Sequence, residues 1–247
     1  MLSNVLFCIL LFKVMRKDEL KKITIAIDGP AASGKSTTAK LVAHKLGYLH
    51  IDTGAMYRAI TLKALDEKYD LSDKKEIVRL AQTSTVQLEE EDGTTKVFLD
   101  GTEVTKRIRT QLVNRSVSTV SSYKGVRDVM VQEQQKMAAS GGVVLEGRDI
   151  GTVVLPKAEL KIFMIACVEE RARRRKEDLA LVGIEAHHDD LVKEIDARDQ
   201  KDSTRETSPL RKAPDAIELD TSHLTIEQQV DFILERAKEI IQEKEKA

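Results

Sequence analysis

The hydrophobic pattern changes period several times along the chain, and those changes divide it into elements. Residues 23–27 are a short apolar run that ends at Gly29-Pro30, as a buried strand closed by a turn does. Thr38, Leu41, Val42 and Leu46 then fall on one helical face, and Gly47 stands where a C-cap belongs. Residues 48–51 read as a second strand and 55–68 as a helix. In the middle the period drops to two: Val86 and Leu88 alternate, as do Val97 and Leu99. Asp92-Gly93 between them and Asp100-Gly101 after them are turn dipeptides, so a small antiparallel sheet is expected over 84–106.

Helical spacing returns over 109–121 and 126–139, followed by strand-like runs at 142–145 and 160–166. A very basic helix is expected at 169–181 and a mixed-charge one at 188–202. A last strand over 216–219 precedes a final helix. Thr225 and Gln228 have capping-box spacing at its start, with Ile226, Val230, Ile233, Ala237 and Ile240 facing inward. Strands alternating with helices predict an α/β fold with a parallel sheet covered on both faces.

The first run feeds the chemistry. Gly29-Pro30-Ala31-Ala32-Ser33-Gly34-Lys35-Ser36, followed by Thr37, satisfies the phosphate-loop pattern, with a strand before it and a helix after it. Glycines let backbone N–H groups wrap a phosphate, and the helix N-terminus adds its positive end. Lys35 is expected to reach the β- and γ-phosphates of ATP, and the Ser36 hydroxyl to bind Mg²⁺. The bland alternative is a chance glycine turn.

Other features narrow the class. The chain lacks the Asn-Lys-x-Asp run that reads guanine, which argues against a regulatory GTPase. The run Val143-Val144-Leu145-Glu146 is a faint candidate for an acidic strand end at a metal site. Arginines stand singly beside turns at 58, 109, 127, 148, 198 and 205. Bringing two anionic phosphates together needs such residues, because guanidinium forks offset the repulsion. A phosphate acceptor is largely ionised at neutral pH, with its second pKa ~6, so no general base is required. No Ser/His/Asp or Cys/His constellation stands out. His44, His50, His187, His188 and His223 read as surface or packing residues.

At 247 residues the chain suits one fairly large domain, and its formal net charge of -1 offers no general attraction to nucleic acid. Cys8 and Cys167 lack the spacing of a metal or redox pair, which fits a reducing cytoplasm. Residues 1–20 read as an N-terminal extension. Its apolar run over 5–12 is too short to span a bilayer and fits a start misassigned upstream of Met15 better than a membrane-surface anchor.

Four segments together resemble bacterial cytidylate kinases. They are residues 27–36, Ile51-Asp52-Thr53-Gly54-Ala55-Met56-Tyr57-Arg58, Glu146-Gly147-Arg148-Asp149-Ile150-Gly151-Thr152, and the run from Arg198 through Asp202 to Arg205 with Ser208-Pro209-Leu210. The phosphate loop is widely shared; the second and third segments are far more specific. The resemblance implies a three-layer P-loop kinase over 21–247. It would have a parallel five-stranded core sheet, an acceptor-binding subdomain over about 54–140 that carries the antiparallel insert, and a helical lid over about 170–190. It implies transfer of phosphate from ATP to CMP or dCMP with Mg²⁺, by a monomer.

The resemblance also implies site roles. Asp52, Thr53, Tyr57 and Arg58 would serve the acceptor, the last two at its phosphate. Arg148 would hold phosphate, and Asp149 would read the base together with Ser118 and Arg127. Arg198, Asp202 and Arg205 would contact acceptor phosphate and sugar along one helical face. Arg171, Arg173, Arg174 and Arg175 begin the lid, and Arg174 and Arg175 are the candidates to join Lys35 in catalysis. Surface ion pairs are the bland alternative for each arginine. Glu146 stands where the family commonly has aspartate, and Lys201 where arginine is often seen. Two readings compete: a kinase of another small acceptor such as UMP, and a nucleotide switch without transfer.

Overall fold

The computed structural model describes residues 22–91, 94–181 and 183–246. The extension, Cys8 and the Asp92-Gly93 turn lie outside them.

Five parallel strands form the centre. In chain order they are β1 (Thr24–Asp28), β2 (Leu49–Asp52), β6 (Val143–Gly147), β7 (Leu160–Ile165) and β8 (Ile217–Asp220), arranged β2-β6-β1-β7-β8. Register places Ile27 and Asp52 both opposite Glu146, and Asp28 opposite Gly147. Alternation sorts the two faces. Ile25 and Ile27 of β1 and Val144 of β6 pack toward α1 (Lys35–Leu46) and the C-terminal α8 (Ile226–Lys246). Ala26, Val143 and Leu145 pack on the other face with Ile51, Ile150 and Val154.

α1 ends at Gly47, whose φ of 67° is left-handed and whose N–H closes the last turn. Leu41 departs from the expected inward face: it is 38% exposed, and Ala39 and Ala43 take the contact with Val42 instead. The small residues let α8 approach, which leaves Leu41 at the rim. The expected box at the start of α8 is made: Thr225 N–H donates to Gln228 Oε1 at 2.9 Å and Gln228 N–H to Thr225 Oγ1 at 3.3 Å.

A second core lies between β2 and β6 in the chain. It comprises α2 (Thr53–Asp66), α3 (Lys74–Thr83), the antiparallel strands β3 (Val86–Glu91), β4 (Thr94–Leu99) and β5 (Thr102–Glu103), α4 (Gln111–Val120) and α5 (Lys124–Ala138). The Asp100-Gly101 turn has φ of 50° and 80°, as a tight hairpin requires. α3 escaped the hydrophobic pattern, although Asp73 caps it by accepting from the N–H groups of Lys75 and Glu76. The expected helix at 109–121 is broken at Thr110, because a single turn of tighter helix at Arg107–Arg109 precedes α4.

α6 (Val168–Ala180) and α7 (His188–Thr204) pair over a small core of Ala172, Leu191 and Ile195. Arg205 lies one residue beyond α7 in extended backbone, so it does not continue the helical face of Arg198 and Asp202 as the spacing suggested. Among the described residues no helix is long and apolar enough to cross a membrane.

Candidate active site

The carboxyl ends of parallel strands are where open α/β sheets bind ligands. Asp28, Asp52, Glu146 and Asp220 stand at or near those ends, and the motif residues follow them.

The loop after β1 is shaped by its glycines. Gly29 has φ 151°, and a Cβ there would sit 2.1 Å from the Met164 carbonyl oxygen of β7, so no other residue fits. Gly34, with φ 89°, opens α1 without a side-chain cap, leaving the first-turn N–H groups to the loop. Ser36 and Thr37 stand exposed on that first turn. Lys35 is buried, and its ammonium donates to the Pro30 carbonyl at 2.6 Å and to Ser33 Oγ at 3.3 Å. Burial pulls its pKa down to about 7, and Arg148 and Arg198 push the same way against Glu146 and Asp28.

Ser36 Oγ donates to Glu146 Oε2 at 2.6 Å. The other oxygen, Oε1, lies 3.1 Å from His50 Nε2, and His50 Nδ1 lies 3.4 Å from Thr95 Oγ1 of the insert. His50 is therefore packed, as expected, but on the site's carboxylate. A hydroxyl beside a carboxylate is a hard-oxygen set of the kind that Mg²⁺ shares with phosphate, so these residues fit the ion. Thr53 Oγ1 donates to the Glu146 carbonyl at 2.7 Å and ties α2 to β6.

Asp28 fixes the segment after β6. Its carboxylate accepts from the N–H groups of Ile150 and Gly151, each at 2.8 Å. Burial pushes its pKa up to about 6 against those two bonds. Arg148 and Asp149 are thereby held at a defined bend, and they point to different partners.

Arg148 Nε donates to Asp202 Oδ2 at 3.0 Å, and Arg198 Nε lies 3.9 Å from the same oxygen. Burial lowers the Arg198 pKa to about 10, and Arg148, Arg58 and Arg175 lower it further against Asp202. Arg148 and Arg198 thus act on Lys35, Arg58 and Arg175 act on Arg198, and Asp202 is the close carboxylate. Arg58 itself lies 3.5 Å from Asp52 Oδ2, as does Arg109, which sequence reasoning singled out without giving it a role. Burial opposes ionisation of Asp52, but Arg58, Arg109 and His50 hold its pKa below the usual value.

Asp149 takes the other direction. It makes a buried, very short pair with Arg127, whose Nη1 also donates to the Ser121 carbonyl at 3.3 Å. Arg205 Nη2 lies 3.9 Å from Asp149 Oδ1. Arg127 Cζ sits 5.2 Å from the Tyr57 ring centroid, and burial pushes the Tyr57 hydroxyl up to about 12. Ser118 is half-buried one turn before Ser121, whose hydroxyl donates to the Ser118 carbonyl at 3.3 Å.

The four arginines of α6 expected to begin a lid divide. Arg171 is buried and reaches Asp199 at 2.5 Å and the Ala31 carbonyl at 3.4 Å. Arg173 is an exposed partner of Glu170 and Glu177. Arg174 is bound to Glu170 through Nε at 2.8 Å and to Thr221 through both remaining nitrogens. Arg175 forms no hydrogen bond or ion pair among the described residues. Thr221 was not flagged by the sequence; Asp28 lay within the first resembling segment and Arg109 among the single arginines without a role, and Glu146 was named as an acidic strand end and within the third segment.

The sequence model of the family described as cytidylate kinase matches residues 25–239. The cytidylate kinase of Bacillus subtilis (strain 168) is 51% identical over 219 residues, which are 89% of this chain and 98% of that protein. That of Bacillus pumilus (strain SAFR-032) is 51% identical over 220 residues, with 89% and 98% covered. That of Lactobacillus gasseri is 51% identical over 222 residues, with 90% and 95% covered. A match over most of the chain, with half of the residues identical across nearly the whole of each relative, admits one conclusion: the chain belongs to the cytidylate kinase family.

Proposed function

We propose that this protein transfers the γ-phosphate of ATP to CMP or dCMP, releasing ADP and CDP or dCDP. The observation that carries the reading is the cationic cluster in which Arg148 and Arg198 act on Lys35 while Arg58 and Arg175 act on Arg198, with Asp202 bound to Arg148. Burial and neighbouring guanidinium groups disfavour the charged forms of Arg198 and Lys35, and two phosphates meeting in line supply the anion that restores them.

Residues 29–37 cradle the donor phosphates, with Lys35 at the β- and γ-positions. Ser36, with Glu146 beside it, would hold Mg²⁺, which when bound supplies charge neutralisation between the phosphates. Arg58, Arg148 and Arg198 bring in the acceptor phosphate. An oxygen of that phosphate attacks the γ-phosphorus, the bond to the bridging oxygen breaks, and ADP leaves with the electron pair. The nucleophile is already ionised, so positioning and charge neutralisation do the work. Arg175, unbound and beside Arg198, is the lid arginine suited to the transferring group. Arg174 anchors the lid on Thr221.

Tyr57, Ser118, Arg127, Asp149 and Arg205 form the base end, with Asp202 toward the sugar. Cytosine offers an amino donor where uracil offers an acceptor, so Asp149 favours cytosine. Asp52 and Thr53 hold the start of α2. Residues 54–140 would act as the acceptor subdomain and 170–190 as the lid, in a cytoplasmic monomer. The separate cysteines support a reducing compartment. Incubation with γ-labelled ATP, Mg²⁺ and CMP tests the reading: label should appear in CDP. Label that stays in ATP or goes to inorganic phosphate would overturn it.

A further inference from the structure

We propose that Gln134 is a further specificity-determining residue of the acceptor pocket, its side-chain amide pairing with the polar edge of the bound pyrimidine. The inference rests on the acceptor reading above. Gln134 lies on α5 two turns after Arg127, on the same buried face as Met130 and Ala138. It is 1% exposed, and neither Oε1 nor Nε2 has a hydrogen-bond partner among the described residues. Its neighbour Gln135, by contrast, donates to the Val154 carbonyl at 2.9 Å.

The unpaired amide has company. Tyr57 Oη, Arg127 Nε and Arg205 Nη2 are also buried without a hydrogen-bond partner. The Tyr57 hydroxyl feels Arg127, Asp149 and Arg205, and the Gln134 amide is close enough to ease its ionisation. Yet the tyrosine and the glutamine form no hydrogen bond of ordinary geometry. Tyr57 and three side chains that act on it therefore hold buried polar atoms without a hydrogen bond, most of them donors. Buried polar groups are almost always paired, and an amide serving only to fill space would be better replaced by an apolar side chain. Cytosine carries two acceptors, O2 and N3, beside an amino donor. An amide that offers both a donor and an acceptor, next to a surplus of donors, complements that edge.

The test compares full-length wild type with Gln134→Met and Gln134→Glu, by thermal unfolding and by calorimetric titration with CMP, UMP and ATP. Wild-type binding of CMP is established first, so that a failure of the acceptor reading is seen separately. Gln134→Met removes the unpaired amide at nearly constant shape. It should raise the melting temperature of the free protein, weaken CMP about tenfold, and leave ATP affinity unchanged. Gln134→Glu, which can only accept when ionised, should change the ratio of CMP to UMP affinity. CMP affinity unchanged in Gln134→Met, or a CMP-to-UMP ratio unchanged in a folded Gln134→Glu, would overturn the assignment.

Discussion

Ser36 and Glu146 are joined by a 2.6 Å hydrogen bond across the gap between the phosphate loop and the end of β6. His50 holds the other oxygen of that carboxylate at 3.1 Å and reaches Thr95 of the insert. Supporting contacts of this kind orient a metal-site oxygen. Glu146→Gln keeps the shape and removes the charge. It should lower kcat/KM by about 10–100-fold and raise the Mg²⁺ concentration for half-maximal rate. A variant with unchanged Mg²⁺ dependence would remove Glu146 from the site.

Lys35 yields a pH prediction. In the free protein burial holds it near 7, so at pH 8 it is mostly neutral and at pH 6 charged. Bound phosphates favour the charged form and raise that pKa. ATP binding should therefore take up a proton at pH 8, approaching one per site, and almost none at pH 6. Calorimetry in buffers of different ionisation enthalpy reads the uptake directly. An uptake that is absent at pH 8 would contradict the assignment.

Arg173, Arg174 and Arg175 of α6 should separate by phenotype. Arg175→Ala should lower kcat about 1,000-fold, as loss of an arginine finger does, with little change in melting temperature. Arg174→Ala should chiefly lower stability, because it loses bonds to Glu170 and Thr221. Arg173→Ala, which removes an exposed ion pair, should do neither measurably. Steady-state kinetics and thermal unfolding on the three variants check the division.

How much of this was legible in the sequence depends on what each residue's partner is. The phosphate loop, the strand ends and the clustered arginines were legible because they leave local patterns: glycines at set spacing, or an arginine after a strand. Family resemblance put Arg127 and Asp149 at one site but gave no pairing between them, since they lie 22 positions apart on different elements. Leu41 misled because two alanines made a closer helix contact than periodicity implies. α3 was missed because its apolar stripe is short, and its Asp73 cap was the overlooked signal. Asp28 looked like an ordinary strand end; its two bonds to Ile150 and Gly151 exist only once β1 and β6 are neighbours.

Asp149 carries a double prediction. Asp149→Asn should reduce the preference for CMP over UMP. It also leaves Arg127, which is 3% exposed, without its counter-charge. Breaking such a buried pair costs about 3–5 kcal/mol, with asparagine toward the lower end because it keeps an acceptor oxygen. Thermal unfolding and substrate competition must be measured together. A folded variant that keeps full CMP preference would remove Asp149 from base reading.

The most direct measurement is a coupled ADP-release assay with ATP, Mg²⁺ and, in turn, CMP, dCMP, UMP, AMP and GMP. Strong turnover with CMP and dCMP, and far less with the others, is the predicted result. Equal turnover across the monophosphates, or none with CMP, would contradict the account.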